Sequence, residues 1–422
     1  MRLFLGQLYD ISTTRQPDKL CVGDVLVPSV RLNADALDCA INFLLHKFSI
    51  LRASFLYQND ELSMHFCHPQ DLPAGRVFQV YPAAQGALPL RQQLISCIDK
   101  VRASMSLDSA PLLRYCLFDA ECAHAQRLLI IFNHLVCDGI SSRILWRELS
   151  AAYQSLLAGD PLLFRPCTTY MDFAQELIGR RDRLDDRLSS PIPVAPGCDL
   201  LDQLTHGQAC TATLAEVVHR EISIGGADLS ALRARAAAAG VALSVFLLAC
   251  WINTLSRVQS TGTVTLLMWV SPHFIGDWST PVSDLVGSVS FPLPVVFSLN
   301  ERRTLTDTVK TVSEELQRGL LNAEDFAARY FAGGTQSGLP VLPSIGFNFV
   351  SDQRLSPLLI GYELAPEGIR IERLPQELFD LALGMEIELC GQQMHVSLSA
   401  TPFIAGQLSL DELLQNLLAR FE

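Results

Sequence analysis

Charge is scarce in this chain. Of its 422 residues only 18% are Asp, Glu, Lys or Arg and 8% are aromatic, whereas 49% are hydrophobic. That balance excludes a disordered or low-complexity chain, which buries too little apolar surface to offset the entropy of ordering. Basic residues are the scarcer sign, 32 Lys and Arg against 44 Asp and Glu, for a net charge of −12. A protein that tracks a phosphate backbone or an anionic leaflet needs the opposite sign, so neither nucleic acid nor membrane is an expected partner. No apolar run reaches the roughly 20 residues of a spanning helix. RLLIIFNHLVC and VALSVFLLACWI are the most apolar, and a His or Ser interrupts each; both are expected in a core. The opening MRLFLGQLYDIS holds an apolar patch too short for a secretory signal, so none is expected. None of the twelve cysteines stands in a C-x-x-C pair. In a chain this long they are expected as reduced, mostly buried thiols of a cytoplasmic protein. Also missing are G-x-S-x-G, G-x-x-x-x-G-K-[ST], H-E-x-x-H and G-x-G-x-x-G after a strand. No metal and no bound cofactor is therefore expected.

What is present reads as α/β, or α+β, with helices on sheets. Leu37, Ile41, Leu44, Leu45 and Phe48 recur at helical spacing and give way to an alternating strand, Leu51 to Tyr57. Asn59-Asp60 supplies a turn, LSMHFC a returning strand, and Leu94, Ile98 and Val101 mark a second helix. PLLRYCLFDAECAHAQRLLIIFNHLV reads as a hairpin whose second strand is apolar on both faces, and SRILWRELSAAYQSLL as an amphipathic helix. From about Arg180 to Cys210 the composition turns to Arg, Asp, Pro, Ser and Gly without periodicity, as in a surface connection. The chain is accordingly divided into a first lobe, 1–180, a connection, 181–215, and a second lobe, 216–422. The second lobe reads as the helix ADLSALRARAAAAG closed by Gly240, the buried helix SVFLLACWINTLSRV, the strand TVTLLMWVS, a helix near TLTDTVKTVSEELQRGLL, then the strands SIGFNFV, LALGMEIEL and MHVSLSA.

Eight of the nine histidines, His46, His65, His68, His124, His206, His219, His273 and His395, have no catalytic partner at informative spacing. His134 is different. It closes the most apolar strand of the first half and is followed by Asp138 and Gly139 in NHLVCDGIS. An imidazole at the end of a buried strand is desolvated, which lowers its pKa and keeps it neutral, the form that accepts a proton. Asp138 can turn its carboxylate inward to a basic partner and pin the loop, and Gly139 leaves room for a substrate against the backbone. A strand-end His followed by an Asp-Gly turn accounts for the same letters without any chemistry.

Wider context favours chemistry. IIFNHLVCDGISSRILWREL resembles the HHxxxDG motif of the condensation domains of nonribosomal peptide synthetases and their acyltransferase relatives. In order along the chain, LLHKFSILRASF is similar to the upstream RHxxLRTxF signature, SLDSAPLLRYCLF to DxxxxPLLR, TYMDFAQE to YxDYAxW, SDLVGSVSFPLPV to VGxxxNxLPLR and IGFNFV to the late FNY strand. The resemblance implies that His134 stands at the reaction centre and that Asp138 and Gly139 support it. Departures are informative: the first motif His is Asn133, the first Arg of the upstream signature is Lys47, the Arg that usually pairs with the motif Asp is His273, and the Asn and Arg of VGxxxNxLPLR are Phe291 and Val296. Asp138 must then find another partner, with Arg52 a candidate. The resemblance carries His273, Ser290, Phe291 and Asn348 to an acceptor-side tunnel made more apolar than usual by Phe291.

The resemblance further implies two chloramphenicol-acetyltransferase-like lobes in a V-shaped pseudo-dimer with a tunnel between them, and a monomer. The implied activity is that of a free-standing condensation enzyme, an acyltransferase. It would take an acyl or peptidyl thioester from the phosphopantetheine arm of a carrier protein supplied in trans and pass it to a small-molecule or carrier-bound acceptor, forming an amide or ester, including chain release, in nonribosomal peptide or hybrid polyketide biosynthesis. Docking an acidic carrier on a chain of −12 would need a local basic or apolar patch. A catalytically idle recruitment module and an epimerisation domain are the alternatives; against the latter, the tryptophan of DGxSW is Ser142 here.

Overall fold

A computed structural model describes residues 3–58, 61–72, 75–82, 89–184, 200, 204, 211–258, 261–300, 303–321, 323–330, 342–351, 362–369, 371 and 373–421. The first half opens with α1 (Leu5–Thr13), β1 (Cys21–Pro28) and α2 (Ala34–Lys47). There follow the hairpin of β2 (Ala53–Gln58) and β3 (Glu61–Phe66), then β4 (Phe78–Pro82), α3 (Leu90–Ser104), β5 (Leu113–Asp119), β6 (Arg127–Asn133), α4 (Gly139–Ala158) and α5 (Tyr170–Arg181). Strands β1, β6, β5 and β4 lie side by side in that order.

All seven residues of β6 are buried because the strand is central and covered on both faces. Leu128, Ile130 and Phe132 face the core built by α2 and α4, while Leu129 and Ile131 face Leu94, Cys97, Ile98 and Val101 of α3. Asn33 caps α2 by accepting from the Ala36 amide, and Leu37, Ala40, Ile41, Leu44 and Leu45 form its buried stripe. Helix α4 ends at Gly159, whose left-handed backbone (φ 74°) returns its amide to the Leu156 and Ser155 carbonyls.

The second half contributes β7 (Ala212–Thr213), β8 (Val218–Gly225), α6 (Gly226–Ala238), α7 (Leu243–Val258), β9 (Thr261–Val270), β10 (Phe291–Asn300), α8 (Leu305–Leu320), α9 (Ala323–Tyr330), β11 (Ile345–Ser351), β12 (Tyr362–Leu364), β13 (Leu378–Phe379), β14 (Leu383–Cys390), β15 (Gln393–Ala400), α10 (Pro402–Gln407) and α11 (Leu410–Phe421). Its sheet runs β10-β9-β11-β14-β15-β8, with β11 parallel to both neighbours. Helix α7 is the interior of this lobe: Phe246 through Ser256 are all buried. Among the described residues no single helix is long and apolar enough to cross a membrane.

The two halves are not independent. Strand β12, from the second half, pairs antiparallel with the edge of β1, Leu26 opposite Leu364. No sequence pattern announces this exchange, because a three-residue strand carries almost no periodicity. Helix α1 and strands β1 and β4 are likewise absent from the pattern of periodic segments, and the strand expected from Leu51 starts at Ala53, Leu51 belonging instead to a 3₁₀ turn, Ser49–Arg52. Of the connection expected at 181–215, only 181–184, 200, 204 and 211–215 are among the described residues.

Helix α1 lies on β10 so closely that a methyl on Gly6 would overlap the carbonyl oxygen of Ser290, a backbone atom with no room to yield. Gly6→Ala is expected to lower stability by about 2 kcal/mol, the usual scale of overpacking, read as a shifted urea midpoint at unchanged m-value.

Candidate active site

The turn that follows β6 is held by side chains before it holds anything itself. The His134 amide donates to the Leu20 carbonyl (2.8 Å), and the Gln7 amide on α1 donates to the Leu135 carbonyl (2.6 Å). Gln7 is completely buried, and its Oε1 accepts from the Phe4 amide and from Tyr170 Oη on α5. Asn133, also completely buried, donates to the Pro17 carbonyl (2.8 Å) and accepts from the Leu135 amide (3.0 Å). Its amide shapes the turn and does not line the cavity described below.

Asp138 caps α4 and closes the seam between the halves. Its Oδ1 accepts from the Ser141 amide (2.8 Å); its Oδ2 accepts from the Val289 amide (3.1 Å), the Ser290 amide (2.9 Å) and Ser290 Oγ (2.8 Å). Ser141 adds a second tie, its hydroxyl donating to the Gly287 carbonyl and accepting from the Gly287 amide. The expectation of a basic partner is therefore corrected: the carboxylate is satisfied by amides and a hydroxyl. Arg52 is elsewhere. Its guanidinium donates to the Leu45, His46 and Cys67 carbonyls, so it covers the free carbonyls at the end of α2, where a cation complements the helix dipole.

His134 Nδ1 lies 2.8 Å from Asp10 Oδ2 on α1. A carboxylate oxygen only accepts, so Nδ1 carries the proton and Nε2 is the nitrogen left to the cavity. The side chain is 34% exposed and Asp10 19%. Burial lowers the imidazole pKa, but the charge of Asp10, its hydrogen bond and the charge of Asp138 outweigh it, with Arg373 opposing, and the net shift is upward from 6.5. The expectation of a depressed pKa is thus reversed, because two nearby carboxylates outweigh the desolvation on which it rested. Asp10 is the partner of His134 that sequence reasoning missed; the available signal was that it is the only charged residue between Leu3 and Thr14.

The imidazole opens on a cavity of about 710 Å³ between the two halves. Asp138, Gly139, Ile140 and Arg143 wall one side, Trp269, Phe274 and Ser290 another, and the face of the second sheet supplies Asn348, Glu386, Ser397 and Ser399. In register across β11, β14 and β15, Asn348 stands beside Glu386 and Glu386 beside Ser397, a polar row on that sheet face. A methyl built on Gly139 meets no protein atom within 4 Å, so the space beside it belongs to the cavity. Two acceptor-side assignments do not stand. His273 is spent on its own loop, with Ser271 Oγ at 2.8 Å from Nδ1 and the Leu285 carbonyl at 2.9 Å from Nε2. Phe291 is 3% exposed and packed in the core, at the head of a strand whose first five residues are all buried. Ser290 and Asn348 do line the cavity. Among the described residues no three His, Cys, Asp or Glu side chains are grouped to hold a metal.

Residues 16–188 match the family model described as Condensation domain, and the two-lobed fold with the turn at its seam extends over the rest. Over that matched stretch, less than half of its length, the chain is similar to that family. Tyrocidine synthase 1 of Brevibacillus parabrevis is 30% identical over 117 residues, 26% of this chain and 11% of that protein. Chondramide synthase cmdD of Chondromyces crocatus is 27% identical over 359 residues, 79% of this chain and 9% of that one. The chain spans only a small part of the length of these relatives. Among solved structures, the epimerization domain from the third module of tyrocidine synthetase B superposes with a TM-score of 0.77 at 17% identity, covering 100% of this chain and 97% of that one. The first condensation domain of the CDA synthetase gives 0.68 at 18%, covering 100% and 95%.

Asp138→Ala strands three buried amide groups, those of Ser141, Val289 and Ser290. At about 1 to 3 kcal/mol for each unsatisfied group, partly relieved by water, the expected loss is about 3 kcal/mol, measured by urea unfolding. An unchanged midpoint with lost turnover would instead place Asp138 in the chemistry.

Proposed function

We propose that this chain joins a carrier-bound acyl or peptidyl thioester to an amine or hydroxyl acceptor, in nonribosomal peptide or hybrid polyketide biosynthesis. The observation that carries this is the presentation of His134 Nε2 to a cavity open between two lobes, with the other ring nitrogen already engaged. A thioester is already activated, so the work left is alignment and management of one proton. Alignment of two substrates is worth about 7 to 11 kcal/mol, and a placed base about 10² to 10⁴-fold. Nε2 takes the proton from the acceptor N–H or O–H as the new bond to the thioester carbon forms. The tetrahedral intermediate then expels the pantetheine thiolate, which recovers that proton from the imidazolium. Gly139, bare toward the cavity, leaves the width for an extended arm. The partner in this reading is an acyl or peptidyl carrier protein, and the chain supplies no bound cofactor.

The reading is tested with a panel of acyl-pantetheine thioesters offered to amines and alcohols, following the new product by mass. His134→Ala is expected to lower transfer by about 10² to 10⁴-fold without changing the unfolding midpoint; transfer within about threefold of wild type defeats the assignment. Deuterium entering the α-carbon of an aminoacyl thioester, without an acceptor, would point to epimerisation.

The neutral imidazole is the base and its pKa is raised, so kcat/KM is expected to climb with pH through an ionisation above 6.5. A profile flat from pH 6 to 9 would contradict this.

Gly139→Leu is expected to fold as the wild type does, since its Cβ meets nothing within 4 Å and the side chain points to the cavity, and to cut kcat/KM at least about tenfold by narrowing the arm's path.

A further inference from the structure

The polarity of the His134 ring is set by a residue outside the motif. Asp10 sits near the end of α1, 124 positions before His134, with its Oδ2 at 2.8 Å from Nδ1 and its side chain 19% exposed. Helix α1 cannot slide away, because Gln7, one turn earlier, is locked to the Leu135 carbonyl and to Tyr170, and Gly6 is pressed on Ser290. The carboxylate is therefore held where the imidazole needs it. Among the described residues no hydrogen bond is made by Nε2.

We infer that Asp10 is a positioning residue that makes His134 a carboxylate-backed base, and that the acceptor this base serves is a hydroxyl. The inference rests on the transfer reaction proposed above. A free amine attacks a thioester carbon with its own lone pair and sheds its proton afterwards, so it gains little from a strengthened base. A hydroxyl is a weak nucleophile until its proton leaves, and the proton must leave as the C–O bond forms. Asp10 fixes the ring tautomer with Nε2 unprotonated and steadies the imidazolium that results. The alkoxy oxygen then displaces the thiolate and an ester is the product; the proton on Nε2 passes to the leaving sulfur, so charge and atoms balance. The other charged groups facing the ring are Asp138 from the turn and Arg373, which is itself paired with Asp380 at 3.2 Å.

Two measurements test this on the full chain. Imidazole nitrogen spectra of histidine-labelled protein, with His134 assigned from His134→Gln, are expected to show the Nδ1–H tautomer and an ionisation above 6.5 in the wild type. In Asp10→Asn, whose amide can donate or accept, the tautomer bias should fade and the ionisation should move to lower pH. Unchanged tautomer and titration would overturn the role of Asp10. Second, the pantetheine thioester turned over best in the panel above is offered with benzyl alcohol or benzylamine. Ester formation is expected to exceed amide formation, to fall at least about tenfold in kcat with little change in acceptor KM for Asp10→Asn, and to recover in part for Asp10→Glu. Amide formation alone, or equal loss with both acceptors, overturns the hydroxyl assignment. If neither acceptor shows His134-dependent transfer, the parent reaction fails and the hydroxyl assignment with it, while the nitrogen spectra still decide on Asp10.

Discussion

The carboxylate of Asp138 organises the site. Only 1% exposed, it receives one amide from the helix it caps and three donors from Val289 and Ser290, just ahead of β10 in the other lobe. Burying a carboxylate is costly unless its oxygens are occupied, and each oxygen here is. Oδ1 fixes where α4 begins and so where Gly139 meets the cavity; Oδ2 fixes how close the two lobes stand. The helix terminus contributes a positive partial charge that a guanidinium would otherwise supply. That explains how the seam closes with no guanidinium on Asp138, His273 being engaged within its own loop and Arg52 at the end of α2.

Against that fixed frame, His134 is governed by competition. Desolvation is the largest single influence and favours the neutral ring, yet Asp10 and Asp138 together reverse it. The outcome is a more basic imidazole whose protonated form is favoured by its surroundings, joined to a tautomer fixed by the same contact. The tautomer of the ring thus comes from one oxygen atom on the first helix of the chain, and its raised pKa from that carboxylate together with Asp138.

The cavity divides its walls by chemistry. Trp269, Phe274, Phe347 and Phe349 give apolar area, while Asn348, Glu386, Ser397 and Ser399 present donors and acceptors from one sheet face. Such a mixture orients a ligand through few polar contacts within a mostly apolar enclosure. Phe274, 69% exposed although it borders the cavity, lies at its margin.

Periodicity and composition were enough to read the α/β class, the buried β6, the amphipathic α2 and α4, the core helix α7 and the isolation of His134 at a strand end, because each depends on neighbours within a few positions. The order of family-like segments was likewise a linear property. What the linear order could not supply were contacts across long separations. The bond from Asp10 to His134 spans 124 residues and that from Asp138 to Ser290 spans 152. Pairing Asp138 with Arg52 followed from charge complementarity, which cannot register that backbone amides satisfy a carboxylate equally well. Phe291 and His273 were placed in the tunnel by alignment of letters, whereas Phe291 packs in the core and the hydrogen bonds of the 271–285 loop engage both ring nitrogens of His273. Sequence determined the long periodic elements and where His134 sits along the chain. Only the packing of α1, β6 and β10 against one another decided which groups surround it, since a side chain's electrostatic surroundings are a property of distance in space.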